Sequence, residues 1–206
     1  MQIFLQTPRL FFRNFEPSDL EVYHSLTTDP KSTQYQSWVP KSIIESKEFL
    51  FKSMEDAHAI PRESYCFAVV YRSTGQCIGS AGIHISPTEN QDAEFGYTLS
   101  SEYSGMGLGS EMAIGLVEFV FNDLNLNRLW GIIHPENIPS IKILEKLNFK
   151  KEGVLQEGMN LRGQFVDCFL YGKTKRSFLK DKNSDALLEE GLQRGLAFSD
   201  NSVDLK

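Results

Sequence analysis

The chain of 206 residues carries 27 acidic against 21 basic side chains, a formal charge of −6, which excludes a general attraction to nucleic acid or to an anionic membrane surface. Hydrophobic residues make up 41% and charged residues 23%, the balance of a globular domain with a sizeable core. No apolar run is long enough to span a bilayer, and the first residues lack the basic start and long apolar stretch of a secretory leader.

A cytoplasmic setting is therefore expected. It suits three cysteines, Cys66, Cys77 and Cys168, that form no C-x-x-C pair and sit in strand-like runs as reduced core thiols. In chain order, residues 7–14 read as a first strand with apolar residues on both faces. Pro17 opens a helix that continues through Leu26 at helical spacing and stops at 27–30. Residues 31–40, polar with Tyr35 and Trp38, read as loop, and 40–57 as a second helix. Residues 65–71 and 77–85 form a hairpin across a turn at 73–75, with Gly79 and Gly82 marking a bulge or close packing.

After a polar loop, residues 93–99 make a strand that enters the turn Ser104, Gly105, Met106, Gly107, Leu108, Gly109. A helix follows from about Ser110 and Glu111 to Leu124, and a strand from 127 to 133. A strand–helix–strand unit of this length favours parallel pairing between 93–99 and 128–133. Asn137 caps the next helix with Pro139 in its first turn. Residues 149–156 and 164–171 close the chain as two strands joined at Arg162 and Gly163. Residues 1–180 thus form one domain, and 181–206 an acidic tail, either a docked helix or a disordered end.

The glycine turn carries the functional signal. Three glycines at spacing two allow φ > 0 and close approach of another group. They lie just before a helix N-terminus, whose unpaired N–H groups and dipole attract anions. A Walker A loop needs Lys directly after its last glycine, and Ser110 and Glu111 stand there instead. A Rossmann fingerprint would put its third glycine at Ser110 and its acidic residue at Glu136, well beyond the usual spacing of about twenty residues.

The turn is similar to the Arg/Gln-x-x-Gly-x-Gly/Ala turn of the GNAT N-acetyltransferase superfamily, which holds the pyrophosphate of acetyl-coenzyme A. The run from Thr7 to Arg13 with Glu16 to Leu20 resembles the start of the RimJ/RimL branch. Asn137, Ser140 and residues 144–149 resemble that branch's Asn-x-x-Ser … Glu-Lys-Leu-Gly-Phe block, and Glu152, Gly153, Gly163, Asp167 and Tyr171 its closing hairpin. Ser104 departs from the usual Arg, Gln or Trp, and Met106 from a frequent Lys or Gln. The turn itself therefore lacks a side-chain cation, which leaves phosphate contact to backbone N–H groups and the helix end. Asn148 replaces a usual glycine and tolerates the same left-handed conformation.

The resemblance implies an α/β GNAT-like fold with a central mixed sheet of about seven strands, splayed between 93–99 and 128–133. It implies acetyl-CoA as co-substrate, cradled by Leu99, residues 104–110, Asn137 and Ser140. Acetyl transfer needs a neutral amine, a stabilised oxyanion and a protonated leaving thiolate. Glu94 is the candidate base, directly or through water, and an exposed strand carboxylate is its bland counterpart. By resemblance Ser140 serves the leaving thiolate, Asn137 holds the pantetheine arm, and backbone N–H groups near Leu99 receive the oxyanion. Simple helix capping explains Ser140 and Asn137 equally well. His134 ranks second to Glu94 as base. Four scattered histidines give no ligand spacing, so no metal is expected. The expected acceptor is a protein or peptide N-terminal amine, with a small-molecule amine as rival. A non-catalytic acyl-CoA-binding module or a nucleotide-dependent oxidoreductase are readings from other classes. A monomer or homodimer fits equally.

Overall fold

The structure, a computed structural model, describes residues 3–184. Eight strands form one mixed sheet in the order β1-β2-β3-β4-β5-β6-β8-β7, one more than the sequence suggests. The extra strand is β1 (Ile3–Gln6), paired antiparallel with β2 (Leu10–Asn14). The expected first strand over 7–14 thus begins only at Leu10. Pro8 has no N–H to give to a ladder, and Thr7 N–H turns back to the Leu10 carbonyl at 2.9 Å, making residues 7–9 a tight connection.

A 3₁₀ turn at Pro17–Asp19 leads into α1 (Leu20–Thr28), and α2 (Ile43–Asp56) follows the loop. Asp19 ties α1 to the sheet by accepting two hydrogen bonds from the Arg13 guanidinium, at 2.6 and 2.7 Å. Both partners are buried, so removing either would cost about 3–5 kcal/mol. Ser42 caps α2 by accepting from Glu45 N–H at 3.2 Å, worth about 1 kcal/mol.

Strands β3 (Ser64–Tyr71), β4 (Gln76–Ile85) and β5 (Asp92–Leu99) run antiparallel. From β5 the chain passes the glycine turn into α3 (Leu108–Glu118), whose last turn widens to a π-helix at Phe119–Asp123. Strand β6 (Arg128–Ile133), α4 (Ile138–Lys146), β7 (Lys150–Leu161) and β8 (Gln164–Thr174) complete the fold. Helical residues 175–184 follow. Of the expected tail, 181–184 continue this helix, and the rest lies outside the described residues.

Two cores sandwich the sheet. One face, with Phe12, Phe67, Ile83, Phe95 and Leu129, packs against Met112 and Leu116 of α3 and Leu144 of α4. The other, with Cys66 and Ala68 of β3, packs against Phe15, Tyr23 and Leu50 under α1 and α2. Cys66 and Cys168 are buried, Cys77 is partly so, and all three are free thiols. Burial pushes the Cys66 thiol up and the Cys77 thiol to about 11, so neither is a ready nucleophile.

Candidate active site

The sheet is forked. Parallel pairing of β5 with β6 covers Asp92, Ala93 and Glu94 against Arg128, Leu129 and Trp130. Both strands continue beyond those pairs, β5 to Leu99 and β6 to Ile133. The splay expected between these strands therefore starts at Glu94. Gly131, the next residue of β6, packs so closely that a Cβ there would lie 3.1 Å from the Phe95 carbonyl oxygen. Below the opening a cleft of ≈ 970 Å³ runs from the glycine turn to the α1–α2 loop.

Glu94 lines this cleft at the apex of the fork and is half-buried. Burial raises its pKa above the usual carboxylate value, and His84, directly across on β4, draws it back down. A carboxylate in such a place is a better base than one in open water, because it wants the proton more. It does not point into the core, as the non-catalytic module would favour.

Gly105 and Gly107 have φ of +78° and +75°, the left-handed region that only glycine enters freely. That double reversal delivers the chain into α3 with Gly107 as N-cap, leaving the N–H groups of Leu108, Gly109 and Ser110 without intrahelical acceptors. A Cβ at Gly105 would meet nothing within 4 Å, so the turn offers open space before unpaired donors, which fits a coenzyme pyrophosphate. Ser104, Gly105, Gly107, Gly109, Ser110 and Leu99 all line the cleft. Two expected contributors do not. Leu108 is fully buried in the core and Met106 is 45% exposed, and neither is among the residues lining the cleft.

The turn is also less bare of charge than its own residues suggest. Arg9, just before β2, donates from Nε to Glu111 at 2.6 Å and from Nη1 to the Met106 carbonyl at 2.8 Å. Its Nη2 lies 3.5 Å from where a Gly107 Cβ would be. Glu111 also accepts from Thr7 Oγ1 at 2.6 Å and from Arg9 N–H at 2.7 Å. Burial alone would raise the Glu111 pKa, yet these donors from Thr7 and Arg9 hold it below the ordinary value. The pair fastens the start of the chain to the first turn of α3 and places a guanidinium beside the glycines.

At the far side of the fork Asn137 caps α4, its Oδ1 accepting from Ser140 N–H at 3.3 Å, and both residues line the cleft. The capping role is therefore real, and it leaves the Asn137 amide nitrogen and the Ser140 hydroxyl available. Beside Ser140 lies the Tyr97 hydroxyl, a buried group with no hydrogen-bond partner of acceptable geometry among the described residues. Burial pushes its pKa up to about 12, against a hydrogen-bonding contribution from Ser140, so it remains a proton donor at any ordinary pH.

The loop between α1 and α2 is strapped over the cleft. Ser32 Oγ accepts from Ser101 N–H at 2.9 Å, Arg162 donates to the Thr33 carbonyl at 2.9 Å, and Gln36 donates to Thr98 Oγ1. Tyr35 stacks on His134 with ring centroids 5.0 Å apart. His134 Nδ1 accepts from Glu136 N–H at 3.2 Å, so that imidazole is engaged on one face and one nitrogen. No group of three metal-ligating side chains occurs among the described residues, and no helix there is long and apolar enough to cross a membrane.

A forked mixed sheet, a glycine turn opening a helix on one side of the fork and a carboxylate at its apex define a thioester-dependent acyltransferase. Residues 9–150 match the Acetyltransferase (GNAT) domain, and the chain belongs to that family. It is an acetyl-CoA-dependent N-acetyltransferase. It is 32% identical over 174 residues to the uncharacterized N-acetyltransferase p20 of Bacillus licheniformis, covering 84% of this chain and 97% of that one. The fold is also that of the Vibrio cholerae spermidine N-acetyltransferase in complex with CoA and spermine (TM-score 0.73, 22% identity, 84% and 99% of the two chains). The ribosomal-protein-S5-alanine acetyltransferase of Vibrio fischeri shares it as well (TM-score 0.71, 23% identity, 82% and 95%).

Proposed function

We propose that this enzyme moves the acetyl group of acetyl-CoA to the N-terminal α-amino group of a protein or peptide, in the manner of the RimJ/RimL branch. The observation that carries the choice is charge. Glu94 is the one carboxylate among the cleft-lining residues, which also include Lys31, His84 and His134. A polyamine brings several positive charges and would leave most of them unpaired in such a cleft, at a desolvation cost. A single ammonium finds its partner in Glu94.

Acetyl-CoA supplies the activated thioester carbonyl. The backbone N–H groups of the glycine turn and the start of α3, with Arg9 beside them, hold its pyrophosphate, and Asn137 holds the pantetheine arm. The Glu94 carboxylate takes the proton that the amine must lose, directly or through a water. An α-amino group titrates near 8, so at neutral pH this one proton is the main obstacle. Backbone N–H groups near Leu99 receive the oxyanion. The Ser140 hydroxyl donates a hydrogen bond to the departing sulfur, which takes up a proton from solvent to match the one Glu94 gives back, and Tyr97 positions Ser140.

Two measurements test this. Mass spectrometry with acetyl-CoA and a panel of amines should show one acetyl group added to peptide N-termini, with kcat/KM at least about tenfold above that for spermidine or a lysine side chain. A preference for spermidine would transfer the enzyme to the polyamine class. Ser140→Ala and Tyr97→Phe should each lower kcat about tenfold with little change in CoA affinity, and the double variant should cost no more than the worse single one. Additive losses would separate Tyr97 from Ser140.

A further inference from the structure

We propose that the cleft floor over β4 and β5 is a pocket for a bulky apolar group, above all an aromatic ring, carried next to the reacting amine. This rests on the acetyl-transfer reading above and adds the acceptor class to it.

Gly82 and Gly96 are direct cross-strand partners on the cleft face. Opposed residues on antiparallel strands hold their Cβ atoms about 5 Å apart, so two opposed glycines remove two neighbouring side chains and bare the backbone. Neither glycine has a positive φ, so no turn or strain requires it there. Gly96 is exposed, and a Cβ on it would meet nothing within 4 Å; one on Gly82 would meet only His84 Nε2, at 3.5 Å. Glycine weakens a strand, and close approach of another group is a usual reason for it.

The trough has walls. Glu94 and His84 form one end, and Thr98 and Ser80, the next pair on the same face, form the other. Gln36 donates to Thr98 and so fixes the α1–α2 loop over this end. Trp38 of that loop is 51% exposed and lies 5.5 Å from the Phe49 ring. Phe49 stacks on Tyr23 at 5.1 Å, and Tyr23 meets Phe15 at 5.3 Å. Phe15, Trp38 and Phe49 line the same cleft as the glycine pair. The exposed indole thus rests on the half-buried Phe49 ring, itself packed on the buried Tyr23 and Phe15, a ready surface for an aromatic or aliphatic guest. Glu94 and Gly96 are two residues apart on one face of the strand, about 7 Å between their Cα atoms, so the side chain next to an amine held by the Glu94 carboxylate lies toward the glycines.

The test uses Gly96→Val, whose side chain fills the trough in a strand conformation that valine adopts readily. Acetylation of otherwise identical peptides beginning with Phe, Leu or Ser is compared in the parent and the variant. Binding of the same peptides to the enzyme–CoA complex is followed by titration calorimetry. The parent should favour Phe over Ser by at least about tenfold, and Gly96→Val should collapse that ratio with CoA affinity unchanged. Gly96→Ala, a smaller plug, should fall between, and circular dichroism checks that each variant is folded. Equal use of Phe and Ser by the parent, or an unaltered ratio in the variants, would overturn the pocket. Tight Phe-peptide binding lost in Gly96→Val, without acetyl transfer to any amine, would uphold the pocket and count against the acetyl-transfer reading alone.

Discussion

Glu94→Gln is expected to lower turnover about a hundredfold near neutral pH, the lower range for losing a general base, with CoA affinity unchanged. The glutamine keeps the shape at the apex of the fork and removes only the ability to take a proton. The loss should depend on pH in a definite direction. Glu94 is a working base only above its own pKa, which burial raises, so the parent rate falls as pH drops through that value. Toward and above pH 8 an α-amine is increasingly neutral without help, and the gap between parent and variant should narrow. A variant with the parental pH–rate profile would make Glu94 structural.

Stability offers an independent readout with the opposite sign. A carboxyl whose pKa is raised by folding binds its proton more tightly in the folded state. That contribution to stability is fully present below the unfolded pKa and is lost as pH rises through the folded one. At neutral pH the charged, half-buried Glu94 is therefore a burden on the fold, and Glu94→Gln should melt at or above the parental temperature. Less activity with no less stability is the signature of a group placed for chemistry. A variant that lost both would point to packing instead.

What the sequence reveals and conceals here follows from the range of each interaction. The glycine turn is legible because its cause is local, with φ near +75° at two glycines followed at once by a helix. The fork is legible because a strand–helix–strand unit forces β5 and β6 parallel. The eighth strand is missed because residues 7–14 look uniformly strand-like until Pro8 is seen to turn the chain. Strand β7 runs to Leu161, past the expected 156, and β8 to Thr174 rather than 171. Most of β7 faces solvent at the sheet edge, so it carries no apolar alternation to mark its length. Contacts between distant residues leave no trace at all. Arg9 and Glu111 meet across 102 positions, and nothing near either names the other. Gly82 is legible as a bulge or packing glycine, but its register with Gly96 exists only once the strands pair. Tyr97 reads as one more strand aromatic until its hydroxyl is found buried without a hydrogen-bond partner among the described residues.

Gly107→Val is expected to weaken CoA binding at least about a hundredfold, because it blocks the approach of the pyrophosphate to the N–H groups that begin α3. Two effects act together. A left-handed φ of +75° at a β-branched residue costs about 1–2 kcal/mol of strain. The added Cβ makes ordinary contact with Arg9 Nη2 at 3.5 Å, and the two methyls beyond it fill the space in front of the N–H groups. For a chain of this size such strain should lower Tm by roughly 2–8 °C, so a stability loss alone would be uninformative. Gly163→Val separates the terms, since Gly163 has φ +95° with nothing within 4 Å of its Cβ, in the β7–β8 turn away from the cleft lining. It should lose comparable stability and keep its CoA affinity. Arg9→Gln isolates the charge. It should weaken CoA about tenfold, with a smaller dependence on salt than the parent shows, and dephospho-CoA should lose equally if Arg9 faces the pyrophosphate. Calorimetric titration of CoA into the three variants reads all of this directly. Unchanged affinity in both Gly107→Val and Arg9→Gln would remove the glycine turn from the coenzyme site.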